Sequence, residues 1–101
     1  MTDIAQLISD LTLEEKMALL AGQDTWHSVP VARLGIPAIK VSDGPNGVRG
    51  AWRDNNPPSI CIPVGIALGA TWNPVLVEQA TGLLANEVKR KGAHILLAPT
   101  V

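Results

Sequence analysis

Asp43 and Arg49 are the residues of this chain whose types and setting point to chemistry. They bracket a turn that runs Asp43-Gly44-Pro45-Asn46-Gly47-Val48-Arg49-Gly50. Residues 36 to 41 are largely apolar and end in a strand-like pattern. The glycines and the proline that follow cannot continue a regular element, so Ser42 and Asp43 are placed at the strand's carboxyl end. In α/β sheets and barrels that end carries the chemistry, and an acid held there can serve as a sugar ligand. A plainer reading stands beside it, because Asp-Gly is a common turn pair and Asp43 can simply cap its own loop. Arg49 has the same ambiguity: a loop arginine can pair with a local acid such as Asp54, which is a weak surface contact.

The remaining candidates carry less. Trp26 and Trp52 can stack on a ring or pack under a loop, and Trp72, beside a helix start, is expected in the core. His27 and His94 have no nucleophile at a recognisable spacing and are expected to be structural. Cys61 lies among apolar residues with no basic or helix-N-terminal setting to lower its pKa, so it is expected as a small buried hydrophobe. With one cysteine and no paired histidines, the chain supplies no internal disulfide and no metal-ligand spacing. No glycine-rich phosphate loop occurs, and no cofactor is expected.

The elements that must hold Asp43 and Arg49 can be read from capping signals. Thr12-Leu13-Glu14-Glu15 is a capping box that starts a short amphipathic helix at Leu13, with Leu13, Met17 and Leu20 on one face and Gly22 as a left-handed stop. One or two helical turns around Ile4, Leu7 and Ile8 precede it, and residues 22 to 35 read as irregular. A longer helix begins at Asn73 as N-cap with Pro74 at the first helical position. Its apolar stripe is Leu76, Ala80, Leu83, Leu84 and Val88. Glu87 and Lys91 form an i, i+4 pair, and Gly92 ends the helix. Residues 94 to 98 are a buried-strand candidate. Between loop and helix, residues 62 to 67 read as a short strand or extended segment, and the Gly65 and Gly69 spacing as a place of close backbone packing. Strand, loop, helix, strand is the order of a parallel sheet.

Composition frames these elements as a globular chain, with 47% hydrophobic residues, 17% charged residues and a formal net charge of -1. Eight basic against nine acidic residues leave no basic stripe for a nucleic acid. The N-terminus carries Asp3 and Asp10 instead of a basic stretch followed by an apolar core, and no run approaches a membrane span. A cytoplasmic chain is expected, with export by another route left open. Phe and Tyr are absent, so the core must be built from Leu, Ile, Val and Ala with at most three Trp.

Several segments in one order tie these features together: Leu11 to Lys16 (Leu-Thr-Leu-Glu-Glu-Lys), Leu34-Gly35-Ile36-Pro37, residues 41 to 50, Ala67 to Trp72 (Ala-Leu-Gly-Ala-Thr-Trp), and Lys91-Gly92-Ala93-His94 leading to Pro99. In this combination the chain, from residue 11 onward, resembles the N-terminal part of the β-glucosidases of glycoside hydrolase family 3. The resemblance implies an α/β fold that supplies only the opening strands and helices of an incomplete TIM-type (β/α)8 barrel, with residues 1 to 101 as one N-terminal piece. A complete barrel needs about 250 residues. It implies a retaining glycosidase that removes terminal non-reducing β-D-glucosyl residues from β-glucosides and short cello-oligosaccharides. The acid matching Asp43 then bonds glucose hydroxyls in the subsite for the non-reducing sugar, and the arginine matching Arg49 lines the same pocket. That chemistry is sensible: a carboxylate accepts from two adjacent hydroxyls at once, and a guanidinium donates in a fixed fork.

Retaining chemistry requires two carboxyl groups about 5 to 5.5 Å apart. In the family these lie beyond the point matching Val101, so no catalytic residue is assigned to this chain. The isolated chain is expected to be inactive, to need the remainder of the barrel, and to be poorly soluble alone. The alternatives are a stand-alone sugar-binding or assembly module without catalysis, and a nucleotide-binding α/β domain, which the missing phosphate loop disfavours.

Overall fold

The N-terminal helices form where their caps dictate. In the computed structural model, which describes residues 3 to 50 and 57 to 99, Asp3 caps helix α1 (Ile4–Asp10) by accepting from the Ala5 and Gln6 backbone N–H groups. Thr12 caps α2 (Leu13–Leu19) through the complete capping box with Glu15. This helix ends earlier than the expected Gly22. Leu20 is its C-cap in an ordinary right-handed conformation, and its N–H bonds back to Ala18 and Met17. Gly22 instead makes an isolated antiparallel bridge with Ser28. The apolar residues Leu13 and Met17 of α2 and its C-cap Leu20 are exposed. Residues 22 to 35 are irregular, as expected, with one 3-10 turn (Ala32–Leu34) ended by Gly35, and residues 36 to 40, expected to extend as a strand, make only isolated bridges, His27 to Lys40 and Val31 to Ile36.

Met1–Lys40 and Val41–Val101 are separate compact units. The second is built around β1 (Val41–Asp43), α3 (Gly65–Ala70), α4 (Pro74–Arg90) and β2 (Ile95–Leu97). The strands pair in parallel, with Val41 opposite Ile95, Ser42 opposite Leu96 and Asp43 opposite Leu97. The α/β class is therefore as expected, though the paired strand is residues 41 to 43 and not 36 to 41. Among the described residues a parallel partner pairs over these three positions.

Helix α4 starts as its residues require. Asn73 Oδ1 accepts from the Leu76 N–H at 3.1 Å, and Pro74 occupies the first position. Gly92, at φ 65°, follows its C-cap Lys91. The core of this unit is Val48, Ile62 and Leu84, with Leu68, Ala80, Val88 and Leu96 packed against them. Ala80, Leu84 and Val88 of the expected stripe face this core, whereas Leu76 and Leu83 are exposed.

Five local expectations are corrected. Residues 65 to 70 form helix α3 where an extended segment was expected, since a short apolar run has no periodicity that separates strand from buried helix. Pro63 supports an extended entry, and the Ala- and Leu-bearing stretch after it closes into helical turns that set Leu68 on the core. Added Cβ atoms at Gly65 and Gly69 would meet nothing within 4 Å, so the spacing does not mark close packing. Trp72 is 93% exposed instead of buried, and Cys61 is also exposed. Finally, β2 is paired but not buried: Ile95 and Leu97 are exposed, because the sheet has two strands among the described residues. No helix of the described residues is long and apolar enough to cross a membrane.

Candidate functional site

The turn after β1 is shaped by two backbone demands. Gly44 takes φ 110°, and a Cβ there would run into the Gly47 carbonyl oxygen; a Cβ on Gly47 would run into the Ile60 carbonyl. Only glycine fits both places. The tip is pinned to the segment beside it, for the Ile62 N–H donates to the Asn46 carbonyl at 2.7 Å and Asn46 Nδ2 donates to the Pro63 carbonyl at 3.1 Å. Asn46 therefore holds the loop through both its backbone and its side chain.

The loop then returns Arg49 to Asp43. The Arg49 N–H donates to the Asp43 carbonyl at 2.9 Å, and Arg49 Nε lies 3.0 Å from Asp43 Oδ1. Oδ1 itself is closed off from solvent and accepts no hydrogen bond of good geometry among the described residues. Arg49 thus balances its charge as an ion pair without a directed bond. The side chains are 36% exposed for Asp43 and 49% for Arg49, and a pair this open stabilises by only about 0 to 1 kcal/mol. This arrangement brings together the two residues that the sequence singles out.

Behind the pair sits Ser42, fully buried. Its Oγ accepts from the Gly50 N–H at 2.9 Å and lies 3.2 Å from the Asp43 carbonyl, to which it donates. Helix α4 supplies the other support. Glu87, 3% exposed, accepts from the Val48 N–H at 3.0 Å through Oε2 and from the Ile60 N–H at 2.7 Å through Oε1. Lys91, 7% exposed, donates to the Val48 carbonyl at 2.5 Å and to Ser59 Oγ at 2.5 Å. Ser59 Oγ donates in turn to the same Val48 carbonyl at 2.6 Å. Sequence reasoning took Glu87 and Lys91 for an ordinary helix pair and gave Ser42 and Ser59 no role. The signal was present in the spacing, since Leu84, Glu87, Val88 and Lys91 fall at i, i+3, i+4 and i+7 on the core-facing side of α4.

The other candidates settle elsewhere. The Asp24 carboxylate accepts from the Trp26 and His27 N–H groups and lies 2.9 Å from His27 Nδ1. The backbone bond from Trp26 and the His27 side chain hold its pKa below the usual carboxylate value. His27 is therefore structural, within a turn. His94 is exposed at the start of β2. Trp52 and Asp54 lie outside the described residues. Among those described, no three His, Cys, Asp or Glu side chains gather as a metal site.

No protein-family model matches the chain. Individual relatives do. The chain is 53% identical over 98 residues to a probable β-glucosidase J of Neosartorya fischeri, covering 97% of this chain and 11% of that protein. It is 52% identical to a β-glucosidase of Rhizobium radiobacter over 97% of this chain and 12% of that protein. Among solved structures it resembles the Kluyveromyces marxianus β-glucosidase in complex with glucose, with a TM-score of 0.93 and 44% identity over 100% of this chain and 12% of the other. The β-glucosidase 3B of Thermotoga neapolitana in complex with α-D-glucose gives a TM-score of 0.82 and 33% identity over 95% of this chain and 16% of the other. The chain thus spans about a tenth to a sixth of the proteins it matches. Over nearly all of its length, in sequence and in fold, this chain is homologous to the N-terminal part of the β-glucosidases of glycoside hydrolase family 3.

Proposed function

We propose that these residues form part of the glucose-binding subsite of a retaining β-glucosidase that removes terminal non-reducing β-D-glucosyl residues from β-glucosides and short cello-oligosaccharides. The observation that carries this reading is the agreement with the glucose-complexed Kluyveromyces marxianus enzyme over the whole chain. The Asp43 and Arg49 pair at the carboxyl end of β1 supports it from the chemistry. In this reading the carboxylate of Asp43 accepts from two neighbouring sugar hydroxyls, while the Arg49 fork donates to a third oxygen and keeps the acid ionised. Sugar stereochemistry is read by where those partners stand. The parallel β1 and β2, connected through α3 and α4, act as opening strands and helices of a TIM-type barrel, an architecture whose sites lie at the strands' carboxyl ends. The hydrolytic carboxyl pair and the rest of the barrel belong to the larger enzyme.

The test is hydrolysis of p-nitrophenyl β-D-glucopyranoside by the β-glucosidase that carries this segment, with Asp43→Asn as its variant. Two charge-assisted bonds at about 1.5 to 3 kcal/mol each predict a fall in kcat/KM of roughly 10²- to 10⁴-fold. Unchanged kcat/KM would remove Asp43 from the subsite.

A further inference from the structure

We propose that Glu87 and Lys91 are positioning residues for this sugar site, acting through the backbone of residues 48 to 50 to set where the Arg49 guanidinium stands beside Asp43. The proposal rests on the glucosidase reading above and deepens it.

The geometry turns on one peptide plane. The carbonyl of Val48 and the N–H of Arg49 belong to the same rigid, planar unit. Its oxygen is held by Lys91 Nζ and by Ser59 Oγ, and its N–H is held by the Asp43 carbonyl. The next plane is fixed too, because the Gly50 N–H bonds Ser42 Oγ. The Arg49 Cα is therefore suspended between two pinned peptides, and only its side-chain torsions remain to place the guanidinium. Glu87 completes the hold from the other direction. It binds the Val48 N–H with one oxygen and the Ile60 N–H with the other, so one carboxylate joins the two limbs that flank residues 51 to 56.

The residue types matter as much as the distances. A loop that needed only covering could be packed by apolar side chains, which carry no desolvation cost for buried charge. A carboxylate and an ammonium one turn apart on α4 impose direction instead. The carboxylate can only accept and the ammonium can only donate, so the N–H and carbonyl of Val48 have one orientation that satisfies both. Sites of this kind require their groups to be held within about 0.5 Å of the working geometry. Neither Glu87 nor Lys91 is placed to touch the sugar itself in this reading; their effect passes through Arg49.

A double-mutant cycle on the parent β-glucosidase separates this role from plain stability. Glu87→Gln keeps the size but loses one of the two acceptors. It is expected to raise KM for p-nitrophenyl β-D-glucopyranoside, and the inhibition constant of glucose, by about tenfold, with kcat less affected. In an Arg49→Ala background the same substitution is expected to add less than about twofold, since the side chain it positions is gone. The same factor in both backgrounds would overturn the proposal. If Glu87→Gln does not fold, Ser59→Ala, which removes one donor to the Val48 carbonyl and one acceptor of Lys91 Nζ, enters the same cycle under the same criterion. An absence of glucoside turnover in the parent enzyme overturns the glucosidase reading and this proposal together; turnover with additive costs overturns this proposal alone.

Discussion

Arg49 is joined to Asp43 twice, by its backbone N–H to the Asp43 carbonyl at 2.9 Å and by its guanidinium Nε to Asp43 Oδ1 at 3.0 Å. The first contact fixes the loop and the second sets the charge. Replacing the side chain leaves the first intact, so the proposed role in recognition and the effect on stability come apart at this position. Arg49→Lys in the parent enzyme keeps the charge and loses the fork. It is expected to lower kcat/KM for a β-glucoside by about tenfold, or about 1.4 kcal/mol. The melting temperature is expected to shift little, since a half-exposed pair stabilises by only about 0 to 1 kcal/mol. Kinetics and a thermal melt on one preparation check both.

Gly44→Ala tests the turn. At φ 110° an added Cβ is strained and meets the Gly47 carbonyl. The substitution is expected to destabilise by about 1 to 3 kcal/mol, and a denaturant titration measures it. Relief by movement of the loop would appear as a weakened glucose affinity alongside a smaller stability loss.

Lys91→Met removes the ammonium that donates to the Val48 carbonyl and to Ser59 Oγ. Loss of these charge-assisted bonds is expected to destabilise the fold by about 1.5 to 3 kcal/mol. Chemical denaturation of the variant beside the parent measures it.

The N-terminal unit has its own pH dependence. Hydrogen bonding from Arg33 first, and from the Thr12 backbone second, lowers the Glu15 pKa from 4.5 to about 2. The same contact raises Arg33. A depressed carboxylate stabilises the folded form fully above its ordinary pKa and loses that contribution as pH falls through its folded one. The window is therefore from about 4.5 down to about 2. Carboxyl-carbon NMR is expected to find the Glu15 midpoint near the lower value, and Arg33→Ala is expected to return it toward the upper one.

In the proposed reading Asp43 binds sugar and Glu87 holds the loop backbone, so the 101-residue polypeptide on its own is expected to show no turnover of a β-glucoside. Retaining hydrolysis requires a nucleophile and an acid/base in addition to these ligands. Measurable glucose release by the purified polypeptide would contradict this.

Local chemistry was legible wherever a residue acts on its own neighbours along the chain. Thr12 and Glu15 close a capping box, Asn73 and Pro74 start α4, Gly92 follows its end, and Asp43 stands at the end of a strand, because each depends on backbone groups a few positions away. What tertiary structure decided is everything that depends on a distant partner. Residues 65 to 70 became helix and Trp72 and Cys61 stayed exposed, since burial is set by what the rest of the fold brings near. The support of the site falls in the same class. Glu87 and Val48 are 39 positions apart, and Lys91 and Val48 are 43. A charged pair at i, i+4 reads as a solvated helix face until a loop arrives to claim it. The sequence by itself thus singled out Asp43 and Arg49, the two groups proposed to read a sugar, and only the folding of α4 against the loop decided how the backbone that carries them is held, because backbone hydrogen bonds to buried charges form only when the chain returns to meet them.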